Sequence, residues 1–132
     1  MVSSVVTDWG LYAPYFKRSE FECSHTGKCE MDKEFMDQLL DLRVKFNKPM
    51  IINSGYRHWT HPIEAKKGHK NGDHVQGRCA DIGVAYADSF ELLRLAINMG
   101  FERIGVNQKG SGRFLHLGLG SDTLPTPALW SY

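Results

Sequence analysis

The chain has 132 residues, with 16 Lys and Arg against 15 Asp and Glu and a formal net charge of +1 at pH 7. That length is one domain's worth, 1–132, able to bury roughly two thirds of its unfolded surface without staples. An apolar fraction of 42% and a charged fraction of 23% exclude a disordered or collagen-like chain, the near-neutral balance argues against nucleic-acid or anionic-membrane binding, and no apolar run reaches the roughly 18–20 residues of a bilayer span.

Met1 to Gly10 carries no Lys or Arg and no apolar h-region, so no secretory leader is expected. The next stretch, to about Cys29, is irregular and aromatic. Trp9, Tyr12, Tyr15, Phe16 and Phe21 are expected to pack on the domain. Three cysteines are an odd number, and reduced thiols are the simplest expectation. Cys23 and Cys29 are close enough in sequence to pair or to share a metal. His25 between them invites a zinc knuckle, but no second ligand pair accompanies it. From Lys33 to Phe46, Phe35, Leu39, Leu42 and Phe46 recur at helical spacing, with Asp32 as N-cap and Asn47 and Pro49 as the stop. Met50 to Ile52 reads as a short buried strand. Ser54 to Gly77 is long, polar and rich in His, Gly and Lys, a pattern typical of functional loops. Ala80 to Val84 reads as a strand. Ser89 to Met99 reads as a helix, with Asp88 as N-cap, Glu91 completing a capping box and Gly100 closing it. Arg103–Val106 and Phe114–Leu119 read as two more strands, and Leu124–Tyr132 as a tail with two prolines. Helices mixed with short strands, without a βαβ rhythm, predict an α+β fold: a small antiparallel sheet with helices packed against it.

Three residues have the chemistry of a metal site. His74 and Asp81 form an H-x6-D pair within Gly72–Ile82, and His116 lies in Phe114-Leu115-His116-Leu117. A catalytic zinc takes three protein ligands of N and O type and keeps one position for water. Two histidines and a carboxylate meet that need, and Gly77 lets the chain turn between His74 and Asp81. Taken singly, His116 on an apolar strand also reads as a core histidine, and an H-x6-D pair arises often by chance.

Ser54-Gly55-Tyr56-Arg57, then His74 with six residues to Asp81, then His116, together resemble the zinc D-alanyl-D-alanine carboxypeptidase family. That family includes phage L-alanyl-D-glutamate endopeptidases and shares its fold with the hedgehog signalling domain. The likeness runs from about Phe16 to the terminal Trp-Ser-Tyr. It implies that His74, Asp81 and His116 hold Zn2+, and that Arg57, Ser54 and Tyr56 bind the substrate, Arg57 through one of the substrate's carboxylates. Arg suits that role because its planar fork donates two hydrogen bonds to one carboxylate. The implied reaction is amide hydrolysis in a peptidoglycan stem peptide.

The chain also departs from the pattern. Family members carry Glu, Asp or His three residues before the last zinc histidine, where this chain has Arg113, which can neither give up nor take a proton at neutral pH. A variant with His-x-Asp has its Asp at the position of Gly118, and relatives often carry serine at that of Gly72. His61, Glu64 and Asp122 are the candidates for the missing proton-transfer group, with His58 and His69 as weaker ones. Asp73, beside a ligand, is placed to orient an imidazole.

Two functions follow. One is a zinc peptidase cutting a cell-wall peptide, a phage endolysin or virion-associated lysis protein residing in the host cytoplasm before release or in the particle. The other is a non-catalytic zinc-containing structural or wall-binding module of a phage tail or baseplate, with other virion proteins as partners. No nucleic acid or membrane partner is expected. The basic cluster Lys66, Lys67, His69, Lys70 and Arg78 is short, and would equally draw in an anionic peptide.

Overall fold

The computed structural model describes residues 4–132; Met1 to Ser3, part of the stretch read above as lacking a leader, lie outside the described residues. Three α-helices and five strands follow one another in a mixed order: α1 (Lys33–Phe46), β1 (Ile51–Ser54), α2 (Pro62–Ala65), β2 (Cys79–Gly83), α3 (Tyr86–Asn98), β3 (Arg103–Asn107), β4 (Phe114–Gly118) and β5 (Ala128–Ser131). The strands form one sheet in the order β1-β2-β4-β3-β5. Every pairing is antiparallel except β3 with β5. This is the α+β architecture expected from the sequence. No helix among the described residues is long and apolar enough to cross a membrane.

α1 has the bounds its periodicity predicts. The Asp32 carboxylate accepts from Phe35 N at 3.0 Å, and Asn47 ends the helix in the left-handed region at φ 54°. Its apolar stripe, Phe35, Met36, Leu39, Leu42 and Phe46, is fully buried. It meets Leu92 and Ala96 of α3 and the inner sheet face, which presents Ala80, Ile82, Ile104, Leu115 and Leu117. Tyr12, Phe16 and Phe21 close this core from the N-terminal side, whereas Tyr15 stays exposed and stacks under Arg43.

Four local expectations need correction. β1 is an edge strand running Ile51–Ser54, with Ile51 exposed and Met50 buried just before it. α3 begins at Tyr86 with Ala85 as an uncapped N-cap. Asp88 and Glu91 do not form the capping box, because both carboxylates are drawn to Lys48, at 2.9 and 3.0 Å. The polar segment contains the one-turn helix α2, started by Pro62 and capped by the His61 ring. The proline-bearing tail supplies β5, which lies along β3 with Leu129 exposed to solvent.

Candidate metal centre

The outer face of the sheet carries the chemistry, and strand register puts it there. Side chains two apart on a strand share a face. Ser54 pairs with Asp81, Asp81 with His116, His116 with Gly105 and Gly105 with Trp130, so these residues form one row across all five strands. A shift of register between Ile52 and Ser54 is what brings Ser54 opposite Asp81. The next row on the same face is Cys79, Gly118 and Arg103. His74 reaches this face from the loop before β2, which turns at Gly77 with φ 66°.

The three sequence-predicted ligands come together. Asp81 Oδ1 is 3.0 Å from His116 Nδ1, and Asp81 Oδ2 is 3.4 Å from His74 Nε2. His74, Asp81 and His116 are exposed by only 5, 8 and 3%. The other nitrogen of each imidazole is also held. His74 Nδ1 donates to the Gly55 carbonyl at 2.8 Å, and His116 Nε2 lies 3.3 Å from Asp73 Oδ2. Asp73 is itself clamped by Arg103, whose Nε and Nη2 donate to its two oxygens at 2.8 and 3.0 Å. Such partners fix which ring nitrogen is free to face a metal. The Trp130 indole lies 4.9 Å from the His116 ring, and only a glycine at 105 permits this: a Cβ there would stand 2.7 Å from Trp130 Cε2.

Cys79 was missed by the sequence reading. It is two residues before Asp81 on β2, hence on the same face, and that spacing was the available signal. Ligand atoms of His74, Cys79 and His116 all lie within 4.8 Å of one another, and all three residues are buried. Two imidazoles, a thiol and a carboxylate are donors that zinc accepts, so the residues present fit the metal that the motif implies.

The charges are strongly coupled. Burial works against a charge on His74 and His116, but Cys79, Asp81 and, for His116, Asp73 outweigh it, holding the imidazolium values up at about 9 and about 12. Burial likewise opposes charge on Asp81, yet hydrogen bonds from both histidines hold its carboxyl well below the usual range; Asp73 is lowered similarly by His116 and Arg103. Without metal, both imidazoles are therefore protonated at neutral pH. Their folded values are raised, so the stability they contribute is complete below about pH 6.5 and, for His74, is lost as pH climbs through about 9. Zinc uptake at pH 7 is expected to release about two protons per ion and to strengthen with rising pH. Calorimetry in buffers of different ionisation enthalpy measures this, and no proton release would mean that the imidazoles are already neutral.

Arg57 stands at the edge of the group. Its Nη1 is 3.2 Å from Glu64 Oε2 and its Nη2 3.7 Å from Asp81 Oδ2. Its backbone N–H donates to the His74 carbonyl at 3.2 Å, tying the Ser54–Arg57 element to the His74 loop. Glu64 is buried against Arg57 and Lys67. Its Oε1 fills the space beside Gly72, where a Cβ would come within 2.5 Å. Lys67 Nζ is 3.0 Å from that oxygen but hydrogen-bonds the other, at 3.2 Å. His61 and Ser54 line a cleft with Arg57, Asn53, Glu20 and Glu22. Burial and the positive charge of Arg57 push the His61 imidazole below its ordinary value, so it is neutral at pH 7. Tyr56 forms part of the cleft wall, with its hydroxyl donating to Glu30 Oε2 at 2.7 Å.

The structure does not bring Asp122 to this group; it lines a separate cavity with Asp32, Gln76 and Arg78. His58 bonds Thr60, and His69 caps Asn71 N from an exposed position. Arg113 turns away, with its guanidinium 4.6 Å over the Tyr86 ring and Nε on the Gly110 carbonyl. Cys23, Cys29 and Cys79 are all free thiols.

Among protein-family models, the one described as Peptidase M15 matches residues 14–118. The match spans Arg57, His74, Cys79, Asp81 and His116, and ends at Gly118. No curated protein matches the chain.

Proposed function

The chain belongs to the Peptidase M15 family, and from that premise we propose that it is a zinc-dependent peptidase hydrolysing an amide bond in bacterial peptidoglycan stem peptides, as a phage endolysin or virion-associated lysis protein. M15 peptidases are typically zinc-dependent, and the chain has a buried His/Cys/His group able to hold a metal. The observation that carries the reading is the gathering of His74, Asp81 and His116 on one sheet face beside Arg57.

In this reading His74, Asp81 and His116 hold the metal, which when bound supplies Lewis acidity for a carbonyl and for water. The remaining work belongs to the chain. The Gly55 carbonyl and Asp73 lock the two imidazoles in the tautomer that faces Asp81. Arg57 offers its fork to a carboxylate of the stem peptide at the edge of the cleft. His61, neutral and in that cleft, is the group suited to accept a proton. Trp130 covers one side of His116 and keeps water from it.

A specific observation favours a second reading, a zinc-containing module of a phage tail or baseplate without turnover. Position 113 presents a guanidinium bound to Tyr86, and position 118 presents no side chain, so neither offers a proton acceptor beside His116. Mass spectrometry of purified peptidoglycan incubated with the zinc-loaded protein separates the two readings. New peptide termini, absent with chelator and with His116→Ala, are expected and name the bond. Unchanged peptidoglycan from a protein shown to hold zinc would overturn the peptidase reading in favour of the module.

A further inference from the structure

Cys79 is fully buried, yet it stands apart from the hydrophobic core cluster. Its neighbours on β2, Ala80 and Ile82, face the helices, so alternation turns Cys79 to the outer face with Asp81. A buried cysteine that serves as a small apolar residue belongs on the inner face. This one lies instead among two imidazoles, its sulfur within 4.8 Å of a nitrogen of each. Directly across the β2–β4 pair is Gly118. A Cβ on Gly118 would fall 3.1 Å from both the Cys79 Cβ and the Arg78 carbonyl oxygen, so a glycine lets β4 run this close to β2 at Cys79. Cys23 contrasts with it: it lies in the core and accepts the His58 backbone N–H at 3.3 Å.

We propose that Cys79 is a metal ligand: His74, Cys79 and His116 have ligand atoms within 4.8 Å of one another, and Asp81, which lies outside that trio but faces both imidazoles at 3.4 and 3.0 Å, completes a set of four that leaves no position for water. The inference rests on reading the group as a metal centre. Closed sets of four protein ligands belong to structural zinc, whereas hydrolytic zinc keeps three and an open site. Thiolate is also the softest donor present, and zinc accepts it readily. The chain then holds its metal in a resting, coordinatively filled state. Hydrolysis would require the Cys79 sulfur to give up its place, and Cys79→Ala would open that place permanently.

X-ray absorption at the zinc edge on the zinc-loaded protein tests this without any activity assay. One sulfur scatterer at about 2.3 Å is expected. Cobalt(II) loading should give the intense near-ultraviolet thiolate-to-metal charge-transfer band. Both signals should vanish in Cys79→Ala and in Cys79→Ser, with zinc affinity at least about tenfold lower. A wild-type protein that binds one metal through nitrogen and oxygen alone would overturn the proposal while leaving the metal centre intact. So would a sulfur signal that survives in the Cys79 variants, since it would come from Cys23 or Cys29. If the wild type takes up no metal, or His116→Ala takes it up equally well, the metal-centre reading itself fails.

Discussion

Replacing Asp81 with alanine is expected to lower zinc affinity at least about a hundredfold and to destabilise the metal-free protein by about 3 kcal/mol at pH 7. Asp81 is the shared anion of the site. Its two oxygens face His74 and His116, and Arg57 stands 3.7 Å from one of them. Removing it leaves two buried imidazoles without their common counter-ion. The cost stays at the low end for a broken buried pair because His74, losing its anionic partner, can drop its proton and become neutral. Asp81→Asn separates the two effects: the amide keeps the shape and one accepting oxygen, turns its NH2 toward the other imidazole, and cannot supply a charged ligand. Thermal melts of metal-free protein should place Asp81→Asn nearer the wild type than Asp81→Ala, while a competition titration with a chromophoric chelator should show both losing zinc. Wild-type zinc affinity in Asp81→Ala would mean that the ion is held elsewhere.

Some of this site can be read in the sequence and some cannot, and strand pairing is the dividing line. α1 is local: its apolar spacing, the Asp32 cap and the left-handed Asn47 lie within a few residues of one another, so its bounds follow from periodicity. The meeting of Asp81 with His116 is set by β2–β4 register across 35 residues of sequence, which spacing alone does not reveal; the family resemblance supplied it. Cys79 was readable in principle, since it precedes Asp81 by two on a strand, but an odd count of cysteines points first to bystander thiols. β5 was hidden by Pro125 and Pro127, and its purpose is seen only when Trp130 lies across Gly105 onto His116. The Asp88–Glu91 capping box failed for a tertiary reason, because Lys48, 40 and 43 residues upstream, takes both carboxylates. Position 72 shows a similar exchange. Where relatives often carry serine, the Glu64 carboxylate from α2 fills the space beside Gly72.

Gly77→Ala is expected to cause the largest loss of any single methyl addition in the His74–Asp81 turn. Gly77 sits at φ 66°, a left-handed conformation that costs an L residue about 1–2 kcal/mol. Its Cβ would also overlap the Glu30 carbonyl oxygen and stand 2.9 Å from Met31 Cα and 3.0 Å from Asp32 N. All three are backbone atoms, so no side-chain rotation relieves the clash, and overpacking of this kind adds about 1–3 kcal/mol. The same backbone docks the turn onto α1, because Asp32 N donates to the Gly77 carbonyl at 2.9 Å and Gly77 N to the His74 carbonyl at 3.2 Å. A loss of roughly 2–5 kcal/mol from a stability of order 5–15 kcal/mol should lower the melting temperature by about 10–20 °C. Gly68→Ala is the matched control. Its φ is 74°, equally left-handed, but nothing lies within 4 Å of its Cβ, so it should cost only the conformational term, about 4–8 °C. The difference between the two melts isolates the docking of the turn on α1. Equal losses would mean that Glu30 and Met31 yield freely and that the turn is not braced there. If it is braced, zinc affinity should fall in Gly77→Ala and hold in Gly68→Ala, because only the former shifts His74 relative to Asp81.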